Sequence, residues 1–306
     1  MKRTILAMVM VAMAIIFVLE ISMEQMFVSR RRETTQTMAG VEEAVEVVES
    51  EEPPEVYALF GVDTQEGDAG RSDCILLISL EGNDLRMCSL ARDTMVTISG
   101  TNTKTKLGHA YAMGGPELAV DTINENYDLN ITKYASVNFS QMAEIVELMG
   151  GVEVSLSQEE WNYLGFGDPY LGSKRLDGQE ALTYCRIRSI DSDDMRTGRQ
   201  RTVIASMLTA LQKMPRAKLP ELVVEGIKMC RTNLSLAELL HLGKSVLTEH
   251  DAIQAESIAI PGDSVSAWGG ICDDGVWYYV YDLERASEVV KEFFYGEEAQ
   301  TVDGEM

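Results

Sequence analysis

The sequence predicts an α/β protein, a sandwich whose central sheet is mixed because at least one of its strand pairs is antiparallel. Short apolar runs typical of strands alternate with longer segments whose apolar residues recur at helical spacing, and this interleaving is typical of helices packed on a sheet. The runs Cys74 to Leu80 and Leu85 to Leu90 are joined by Glu-Gly-Asn-Asp, in which Gly82-Asn83 suits the positive φ of a tight hairpin turn. We therefore expect these two strands to pair.

The first half of the predicted domain contains two further strands and two helices. A strand from Val56 to Phe60 ends at a Gly-x-Asp loop, and a helix runs from Pro116 to about Tyr127, since proline suits the first helical position. Ser140 is expected to cap a second helix, which Gly150-Gly151 end. The alternation in Val152 to Leu156 then predicts another strand.

The second half begins with a long helix, in which apolar residues from Val203 to Met214 share one face. A helix from Leu236 to Leu247, a strand from Ser257 to Ile260 and a closing helix from Leu283 to Phe294 follow. No repeat and no break in composition marks a second domain, so residues 55–296 are predicted to form one domain.

Residues 1–28 are predicted to be a signal anchor, a single transmembrane segment. Lys2-Arg3 precede an uncharged run from Ile5 to Leu19, which is close to the shortest span that crosses a bilayer. A cleaved signal peptide is the main alternative, although no small-x-small cleavage pattern follows, and a buried helix of a soluble domain is the third. Arg30 to Arg32 follow the run, and by the positive-inside rule alone they would place the domain in the cytoplasm.

Two polar segments flank the predicted domain. Residues 29–54 are rich in Glu, Thr and Val, contain no aromatic residue and end with Pro53-Pro54, which predicts a solvated acidic tether. Residues 297–306 are predicted to be a disordered tail.

The net charge of the chain bears on the kinds of ligand that it can bind. A net charge of -23 argues against nucleic acid as a partner, because binding phosphates needs a surplus of Lys and Arg. Any anionic ligand must therefore bind at a local basic cluster.

Three cysteines, Cys74, Cys88 and Cys185, lie in apolar runs and are expected in the core. Cys230 and Cys272 form either one disulfide or two free thiols.

Four polar clusters occur where strands end or helices begin. They are Gly61-Val-Asp63, Arg71-Ser-Asp73, Arg92-Asp93-Thr94, and a group in which Arg186 and Arg188 precede Asp191, Asp193, Arg196, Arg199 and Gln200. Arg186 and Arg188 are predicted to share one face of a strand, and Arg196 and Arg199 one face at a helix start. Several guanidiniums near a helix N-terminus suit the binding of a pyrophosphate. Two nearby aspartates would then be expected to hold Mg2+, which would neutralise part of the phosphate charge. The alternative for each cluster is a surface ion pair.

Six motifs follow one another along the chain. They are Arg71-Ser-Asp73; Ser89-Leu-Ala-Arg92-Asp93-Thr94; Lys106-Leu-Gly-His109-Ala-Tyr; Met149-Gly-Gly-Val-Glu-Val154; Leu176-Asp-Gly-Gln-Glu-Ala-Leu-Thr-Tyr184; and Arg186-Ile-Arg188 with Asp191 and Arg196-x-x-Arg199-Gln200. In order and spacing these motifs resemble the LytR-CpsA-Psr family, closely over about residues 55 to 215 and loosely beyond.

The resemblance implies a three-layer α/β/α sandwich and a membrane-anchored phosphotransferase. Such an enzyme would move an anionic glycopolymer, such as a teichoic acid or a capsule polysaccharide, from a polyprenyl pyrophosphate carrier to peptidoglycan. The lipid would lie in an apolar tunnel between sheet and helices, and Mg2+ or Mn2+ would assist. The resemblance also implies a single-pass protein in the cell membrane of a bacterium, expected to be Gram-positive, with its catalytic domain outside, against the indication of the arginine triplet.

Site residues carry over by position. The resemblance implies that Asp63 and Asp73 are the metal ligands and that the pyrophosphate clamp consists of Arg71, Arg92, Arg186, Arg188, Arg196, Arg199 and Gln200. Asp93 either orients Arg92 or acts as a base, and orientation is favoured. The resemblance implies a catalytic set of Arg92, Asp93, Arg186 and Arg188. Departures from the family pattern are Cys74, Ala91, Ser189 and Asp194-Met195, where threonine, proline, histidine and an aromatic-glycine pair are usual.

Several interpretations stay open at this point. Met142, Val146, Met149, Trp161, Tyr163 and Phe166 either line the lipid tunnel or pack in the core, and packing is favoured. A non-enzymatic polyanion binder and a lipid pyrophosphate hydrolase are the rival functions. Mg2+ dependence separates the enzyme from the binder, and the product separates transfer from hydrolysis.

Overall fold

The computed structural model describes part of the chain, all of it within the unit that begins at Pro53. The described residues are 53–63, 70–190, 193–235, 237–239 and 252–296. The predicted anchor, nearly all of the tether, the tail and most of the helix predicted from Leu236 lie outside these ranges. Within the described ranges, no helix combines the length and the apolar character that a membrane crossing requires.

The strands and helices alternate as expected, with several short elements between them. The strands are β1 (Tyr57–Val62), β2 (Ser72–Glu81), β3 (Asp84–Leu90), β4 (Met95–Thr97), β5 (Lys104–Lys106), β6 (Lys133–Asn138), β7 (Val152–Ser155), β8 (Ser173–Leu176), β9 (Arg231–Thr232), β10 (Gln254–Ile260), β11 (Trp268–Ile271) and β12 (Trp277–Val280). The helices are α1 (Leu107–Tyr127), α2 (Phe139–Leu148), α3 (Gln158–Tyr163), α4 (Gly178–Cys185), α5 (Asp193–Lys213), α6 (Leu219–Met229) and α7 (Leu283–Tyr295), with a 3-10 turn at Arg216–Lys218.

Six strands form a mixed central sheet in the order β10-β3-β2-β1-β6-β9. The predicted hairpin is confirmed, because β2 and β3 pair antiparallel around Gly82, whose φ is 57°. β1 pairs parallel with β6, and β10 pairs parallel with β3. The other strands form separate two-stranded sheets, β4 with β5, β7 with β8, and β11 with β12.

Helices cover both faces of the central sheet, as the three-layer prediction requires. On one face, Phe60 and Leu77 of the sheet pack in one core with Tyr127 of α1 and Phe294 of α7. On the other face, Leu76 packs with side chains of α5 such as Ile204 and Leu208. The long α5 therefore lies directly over the strands that carry the polar clusters.

A third core lies between α2, α4, α5 and the β7–β8 pair. Val146 and Trp161 are buried in it, while Met142 and Phe166 pack against it and Tyr163 is 45% exposed. Of the six residues considered for the lipid tunnel, Val146 and Trp161 are thus core residues, Met142 and Phe166 pack against that core, and Met149 is partly buried.

All five cysteines are free thiols, so Cys230 and Cys272 are not joined by a disulfide. Cys88 and Cys185 are buried as predicted, and Cys74 is partly exposed beside the polar clusters.

Two local predictions are wrong. Arg186 and Arg188 do not lie on a strand: α4 ends at Cys185, and Arg186 is its C-cap. The apparent alternation arises because Ile187 turns into the core while the arginines on either side stay exposed. Ser140 does not cap α2, since the Asn138 side chain accepts a hydrogen bond from the Gln141 amide and forms the cap instead.

The predicted start of a helix at Pro116 is the second half of α1. The helix begins nine residues earlier at Leu107, and its backbone leaves helical geometry at Gly114 and Gly115. Gly115 has a φ of 75°, which only glycine adopts without strain, and Pro116 then restarts the helix.

Candidate functional site

A bulge at the start of β2 directs Asp73 into the candidate site. Gly61 pairs with Cys74 and Val62 with Ser72, so Asp73 is the extra residue between two neighbouring pairs. Bulges of this kind re-aim a side chain at the edge of a sheet. The Asp73 side chain is only 13% exposed and receives a hydrogen bond from Nη1 of Arg92, which follows the adjacent strand β3.

Arg92 joins two carboxylates, because its Nε also donates to Oδ2 of Asp93 at 3.3 Å. The other oxygen of Asp93 accepts a hydrogen bond from Lys106 Nζ at 2.6 Å. Burial acts to raise the pKa of Asp93, but the hydrogen bond from Lys106 and the charge of Arg92 outweigh it and lower the pKa below its usual value. Asp93 is therefore held as an ionised carboxylate in contact with two cations. The motif that contains Lys106 does not reveal this contact.

Backbone contacts fix the segment that carries Arg92 and Asp93. Gly108, near the start of α1, donates its N–H to the Arg92 carbonyl at 2.8 Å, and Tyr279 of β12 donates to the Asp93 carbonyl at 2.9 Å. A Cβ at Gly108 would lie 2.7 Å from the carbonyl oxygen of Ser72. Glycine is therefore required where α1 meets the first residue of β2.

The turn after α4 brings two more arginines to the site, one to Asp73 and one to Asp63. Nη2 of Arg188 lies 3.5 Å from Oδ2 of Asp73, and Nη2 of Arg186 lies 3.8 Å from Oδ1 of Asp63. The Arg186 guanidinium also stands 4.6 Å from the centroid of the Phe139 ring. More than half of each arginine side chain is exposed, so both guanidiniums are accessible to a ligand.

A pocket lies beside Asp73 and Arg92, under the start of α5. It is lined by Asp73, Cys74, Ile75, Ser89, Leu90, Ala91, Arg92, Arg196, Thr197, Gln200, Ala259, Ile260, Pro261 and Tyr279. Arg196 is 3% exposed and contributes its charge to this pocket. One turn later on α5, Arg201 donates from Nη1 to the Ser89 hydroxyl at 2.8 Å, a contact for which the sequence carried no signal.

Arg199, by contrast, is directed into the third core. Its Nε donates to Oε1 of Glu160 at 2.7 Å, and the two side chains are 2% and 9% exposed. Its Nη1 donates to the carbonyl oxygen of Ile187 at 3.3 Å. Arg199 therefore contacts the backbone of the turn between Arg186 and Arg188.

Arg71 precedes the bulge and is exposed, near His109. Burial lowers the pKa of His109, and the positive charges of Arg71 and Lys106 lower it further against the opposing charge of Asp93. His109 Nδ1 is 2.9 Å from the Thr105 hydroxyl. This hydrogen bond joins the start of α1 to β5.

The predicted residues thus fall into four groups. Asp73, Arg92, Asp93 and Arg188 form one connected network, which Arg196 and Gln200 join across the pocket. Asp63 and Arg186 form an adjacent pair. Arg71 stands near His109, and Arg199 is paired with Glu160.

The residues predicted to bind a metal are two carboxylates, each facing an arginine. No group of three or more His, Cys, Asp or Glu side chains suited to a metal occurs among the described residues. Two carboxylates alone do not make a complete metal site. They match the requirement of Mg2+, which keeps several waters and completes its coordination with substrate phosphates. The carboxylates of Asp63 and Asp73 are chemically compatible with such an ion.

The chain is similar to known proteins in sequence and in structure. Residues 21–294 match the model of the LytR_cpsA_psr family. A protein of Bacillus cereus named polyisoprenyl-teichoic acid–peptidoglycan teichoic acid transferase TagU is 31% identical over 252 residues, which cover 79% of this chain and 78% of that protein. The protein of the same name from Oceanobacillus iheyensis is 32% identical over 245 residues, or 76% of this chain and 73% of that protein.

A solved structure described as TagT bound to LI-WTA has the same fold. It superimposes with a TM-score of 0.63 at 25% sequence identity and covers 79% of this chain and 91% of that chain. The mixed sheet with helices on both faces is thus the architecture of a known group of structures.

Proposed function

This chain belongs to the LytR_cpsA_psr family, and from that premise we propose that it transfers an anionic glycopolymer from a polyprenyl pyrophosphate carrier to peptidoglycan. The observation that carries the proposal is the position of Asp73 between Arg92 and Arg188, at the opening of a pocket that Arg196 and Gln200 also line. The names of the relatives, which are polyisoprenyl-teichoic acid–peptidoglycan transferases, support the same donor and acceptor.

The exposed guanidiniums supply the donor site. A guanidinium presents parallel N–H groups that match two phosphate oxygens, and Arg186 and Arg188 stand two residues apart on one turn. In the free protein their charges are balanced by Asp63 and Asp73. A bound pyrophosphate would neutralise part of the positive charge of these arginines in place of the carboxylates. Asp93 would keep Arg92 in position beside it.

The prenyl chain would extend from the pocket into the space between the sheet and α5. Cys74 lines the pocket and belongs to the apolar cluster on that face of the sheet. Partly buried Leu59, Ile78, Ile204 and Leu208 continue this cluster away from the charged residues. An apolar chain placed there removes these side chains from water, at about 25 cal/mol per Å² of apolar surface.

In the proposed reaction, a sugar hydroxyl of peptidoglycan attacks the phosphorus that bears the glycopolymer. A new P–O bond forms, the bond to the lipid-linked phosphate breaks, and the hydroxyl proton is lost to solvent. The products are a phosphodiester and the lipid monophosphate. Arg92, Arg186 and Arg188 stabilise the charge on the phosphate oxygens, so catalysis consists mainly of positioning and electrostatics. Asp93 does not take the proton, because both of its oxygens are engaged by cations.

We further propose that Asp63 and Asp73 hold Mg2+ when the donor is bound. The ion would neutralise charge on the pyrophosphate that the arginines leave uncompensated. Mn2+ prefers similar oxygen ligands and should substitute for it.

The proposal places the domain outside the cell membrane, tethered by the segment before Pro53. A lipid carrier keeps the donor in the membrane, and the acceptor is the wall. The acidic tether of residues 29–54 would then hold the domain close to both substrates.

A transfer assay with the full chain tests the function. The protein is incubated with a synthetic lipid pyrophosphate glycan and peptidoglycan, with and without Mg2+, and glycan attached to peptidoglycan is measured. Arg188→Ala should abolish transfer and leave the fold intact, since it removes a charge contact and no packing. Arg175→Ala, which removes an exposed pairing with Glu153 on β7, is the control and should transfer normally.

Each rival function gives a different result in this assay. Release of free phosphorylated glycan without attachment identifies a hydrolase. Binding of the donor without any turnover in Mg2+ identifies a non-enzymatic binder. Full transfer by the Arg188→Ala variant contradicts the proposed site.

A further inference from the structure

A second cavity lies at the same edge of the central sheet as the candidate site. β10, β3, β1 and β6 run in one direction, because β10 pairs parallel with β3, β1 pairs parallel with β6, and β2 is antiparallel to both β3 and β1. Their carboxyl ends therefore meet at one edge, where sheets of this kind bind ligands. The ends of β3 and β10 line the pocket beside Asp73 and Arg92. The ends of β1 and β6 line the second cavity, here called the Ser136 cavity.

The Ser136 cavity is small and polar. Its polar side chains are those of Tyr111, Ser136, Asn138, Gln141, Lys228 and Arg231. Ser136 and Tyr111 are buried, and their hydroxyl oxygens are 2.9 Å apart, so they form a fixed hydroxyl pair in its wall. The volume is about 160 Å³. Because a cavity of about 150 Å³ can hold benzene, the Ser136 cavity has room for one sugar ring but not for a polymer or a prenyl chain.

Asn138 and Gln141 present two amide groups to this cavity. They form the capping box of α2: the Asn138 side chain accepts from the Gln141 backbone N–H at 2.9 Å, and the Gln141 side chain accepts from the Asn138 backbone N–H at 2.8 Å. Because the cap uses both side-chain oxygens, the NH2 groups are the parts of these side chains that can donate to a ligand. Such donors suit a ligand that carries carbonyl or hydroxyl oxygens.

The two cations of the lining are neutralised by carboxylates. Lys228 Nζ donates to Oε1 of Glu225 at 2.6 Å, and Nη2 of Arg231 donates to Oε2 of Glu117 at 3.0 Å. The lining thus offers a ligand mainly neutral hydroxyl and amide groups. The Ser136 cavity therefore favours a neutral sugar over a phosphate of an anionic polymer.

The Ser136 cavity adjoins the phosphate site at Arg186. Val62 lines the cavity, and the next residue, Asp63, has its Oδ1 3.8 Å from Arg186 Nη2. Asn138 also lines the cavity, and the ring of the next residue, Phe139, has its centroid 4.6 Å from the Arg186 guanidinium. Two independent contacts thus place this guanidinium at the rim of the cavity.

The direction of the proposed reaction selects the acceptor as the occupant. With the prenyl chain under α5, the lipid-linked phosphate points toward the ends of β3 and β10. Attacking and leaving oxygens lie roughly in line across the phosphorus, so the attacking hydroxyl approaches from the opposite side, where β1 and β6 end. β3 and β6 are three strand spacings apart, roughly 14 Å, which leaves space for the pyrophosphate between the two cavities. The saccharide of the donor lies across this line and is directed away from the Ser136 cavity.

We propose that the Ser136 cavity holds the acceptor sugar, an N-acetylated hexosamine residue of peptidoglycan. The NH2 groups of Asn138 and Gln141 donate to its acetamido carbonyl, whose oxygen can accept two hydrogen bonds. The attacking hydroxyl then lies beside Arg186. The inference rests on the proposed function for the position of the donor and the nature of the acceptor.

Binding measured without a transfer step tests the inference. The full chain in detergent is titrated with lipid-free glycan strands of peptidoglycan by saturation-transfer NMR. Strands stripped of their acetyl groups and lipid-free teichoic acid are the other two arms. The variants are Gln141→Glu and Asn138→Asp, which lose an NH2 donor but keep the capping oxygens of α2. Ser140→Glu is the control, because it adds the same charge at an exposed neighbouring position that does not line the cavity.

We expect Gln141→Glu and Asn138→Asp each to weaken the binding of acetylated strands about tenfold, because a carboxylate oxygen replaces a hydrogen-bond donor opposite the carbonyl. Strands without acetyl groups should show no such loss, and Ser140→Glu should bind acetylated strands as the wild type does. In the transfer assay, the KM for peptidoglycan should rise in both variants while the KM for the lipid donor stays unchanged.

Several results would overturn the inference. They are the absence of strand binding by the wild type, equal affinities of the wild type and both variants, and an equal loss in Ser140→Glu. Loss of teichoic acid binding in place of strand binding would assign the cavity to the donor polymer instead.

These outcomes are distinguishable from a failure of the proposed function. A protein that transfers glycan with an unchanged KM for peptidoglycan in Gln141→Glu and Asn138→Asp loses only the acceptor cavity. A protein that binds acetylated strands through these residues without transferring glycan loses only the transferase.

Discussion

The buried ion pair between Arg199 and Glu160 makes a strong prediction about stability. Glu160→Gln keeps the shape of the side chain and its bond to the Ser157 amide, because glutamine serves equally at this position of a capping box. It removes the negative charge beside a guanidinium that is 2% exposed. Leaving one partner of a buried pair uncompensated costs about 3–5 kcal/mol. Because the amide oxygen keeps the Ser157 bond, the amide NH2 group faces the Arg199 Nε–H, and we expect a loss of at least about 3 kcal/mol.

For a domain of this size, about 3 kcal/mol lowers the Tm by roughly 6–12 °C. The assay is thermal unfolding followed by circular dichroism. The control is Glu153→Gln, because Glu153 and Arg175 are 3.9 Å apart and about 60% exposed. That change should alter the free energy of unfolding by less than about 0.5 kcal/mol. Equal Tm shifts for the two variants would refute the assignment of a buried pair.

A double variant separates a structural role of Arg199 from a role in the clamp. Replacing both Glu160 and Arg199 by methionine removes the two charges together and should recover most of the stability that Glu160→Gln loses. Arg199 donates to the Ile187 carbonyl, so the double variant loses a contact to the turn that carries Arg186 and Arg188. We therefore expect slower transfer despite recovered stability. Normal transfer would mean that Arg199 does not position the turn.

Three further predictions concern the rest of the site. The pKa of His109 is lowered in the folded state, so folding favours the neutral imidazole. The free energy of unfolding should therefore be highest above about pH 6.5 and decrease as the pH falls toward the folded pKa. Urea unfolding at several pH values should show this decrease, and His109→Gln should make the free energy of unfolding less dependent on pH. Arg92→Lys should slow transfer about 10- to 100-fold with an unchanged Tm, because one ammonium does not bridge the two carboxylates. Gly108→Ala should cost about 1–3 kcal/mol in urea unfolding, since its Cβ meets a β2 carbonyl at 2.7 Å, whereas Gly226→Ala in α6 has open space and should be neutral or stabilising.

Local signals made much of the fold predictable. The β2–β3 hairpin follows from a two-residue turn between apolar runs, and the closing helix follows from its period of apolar residues. The prediction that Arg186 lies on a strand is wrong because a strand and a turn can both produce exposed, buried and exposed residues in succession. The capping box of Asp177 and Glu180, which begins α4 eight residues earlier, was the signal against a strand.

Tertiary contacts explain what the sequence did not reveal about the site. The partner of Arg199 is Glu160, 39 residues away, and no local pattern distinguishes a guanidinium that will be buried from one that will face a ligand. Lys106 was visible as a residue of a motif, but its contact with Asp93 depends on how β5 is placed beside the loop after β3. The bulge that directs Asp73 likewise depends on the register of β1 and β2.

The most direct test measures the affinity of the full chain for a short prenyl pyrophosphate by calorimetry in the presence of Mg2+. Arg188→Ala should weaken binding about 10- to 100-fold, the loss of one charge-assisted contact of roughly 1.5–3 kcal/mol. The prenyl monophosphate should bind wild type and variant with more similar affinities. Equal affinity of the wild type and Arg188→Ala for the pyrophosphate would contradict the placement of the donor at Asp73, Arg92 and Arg188.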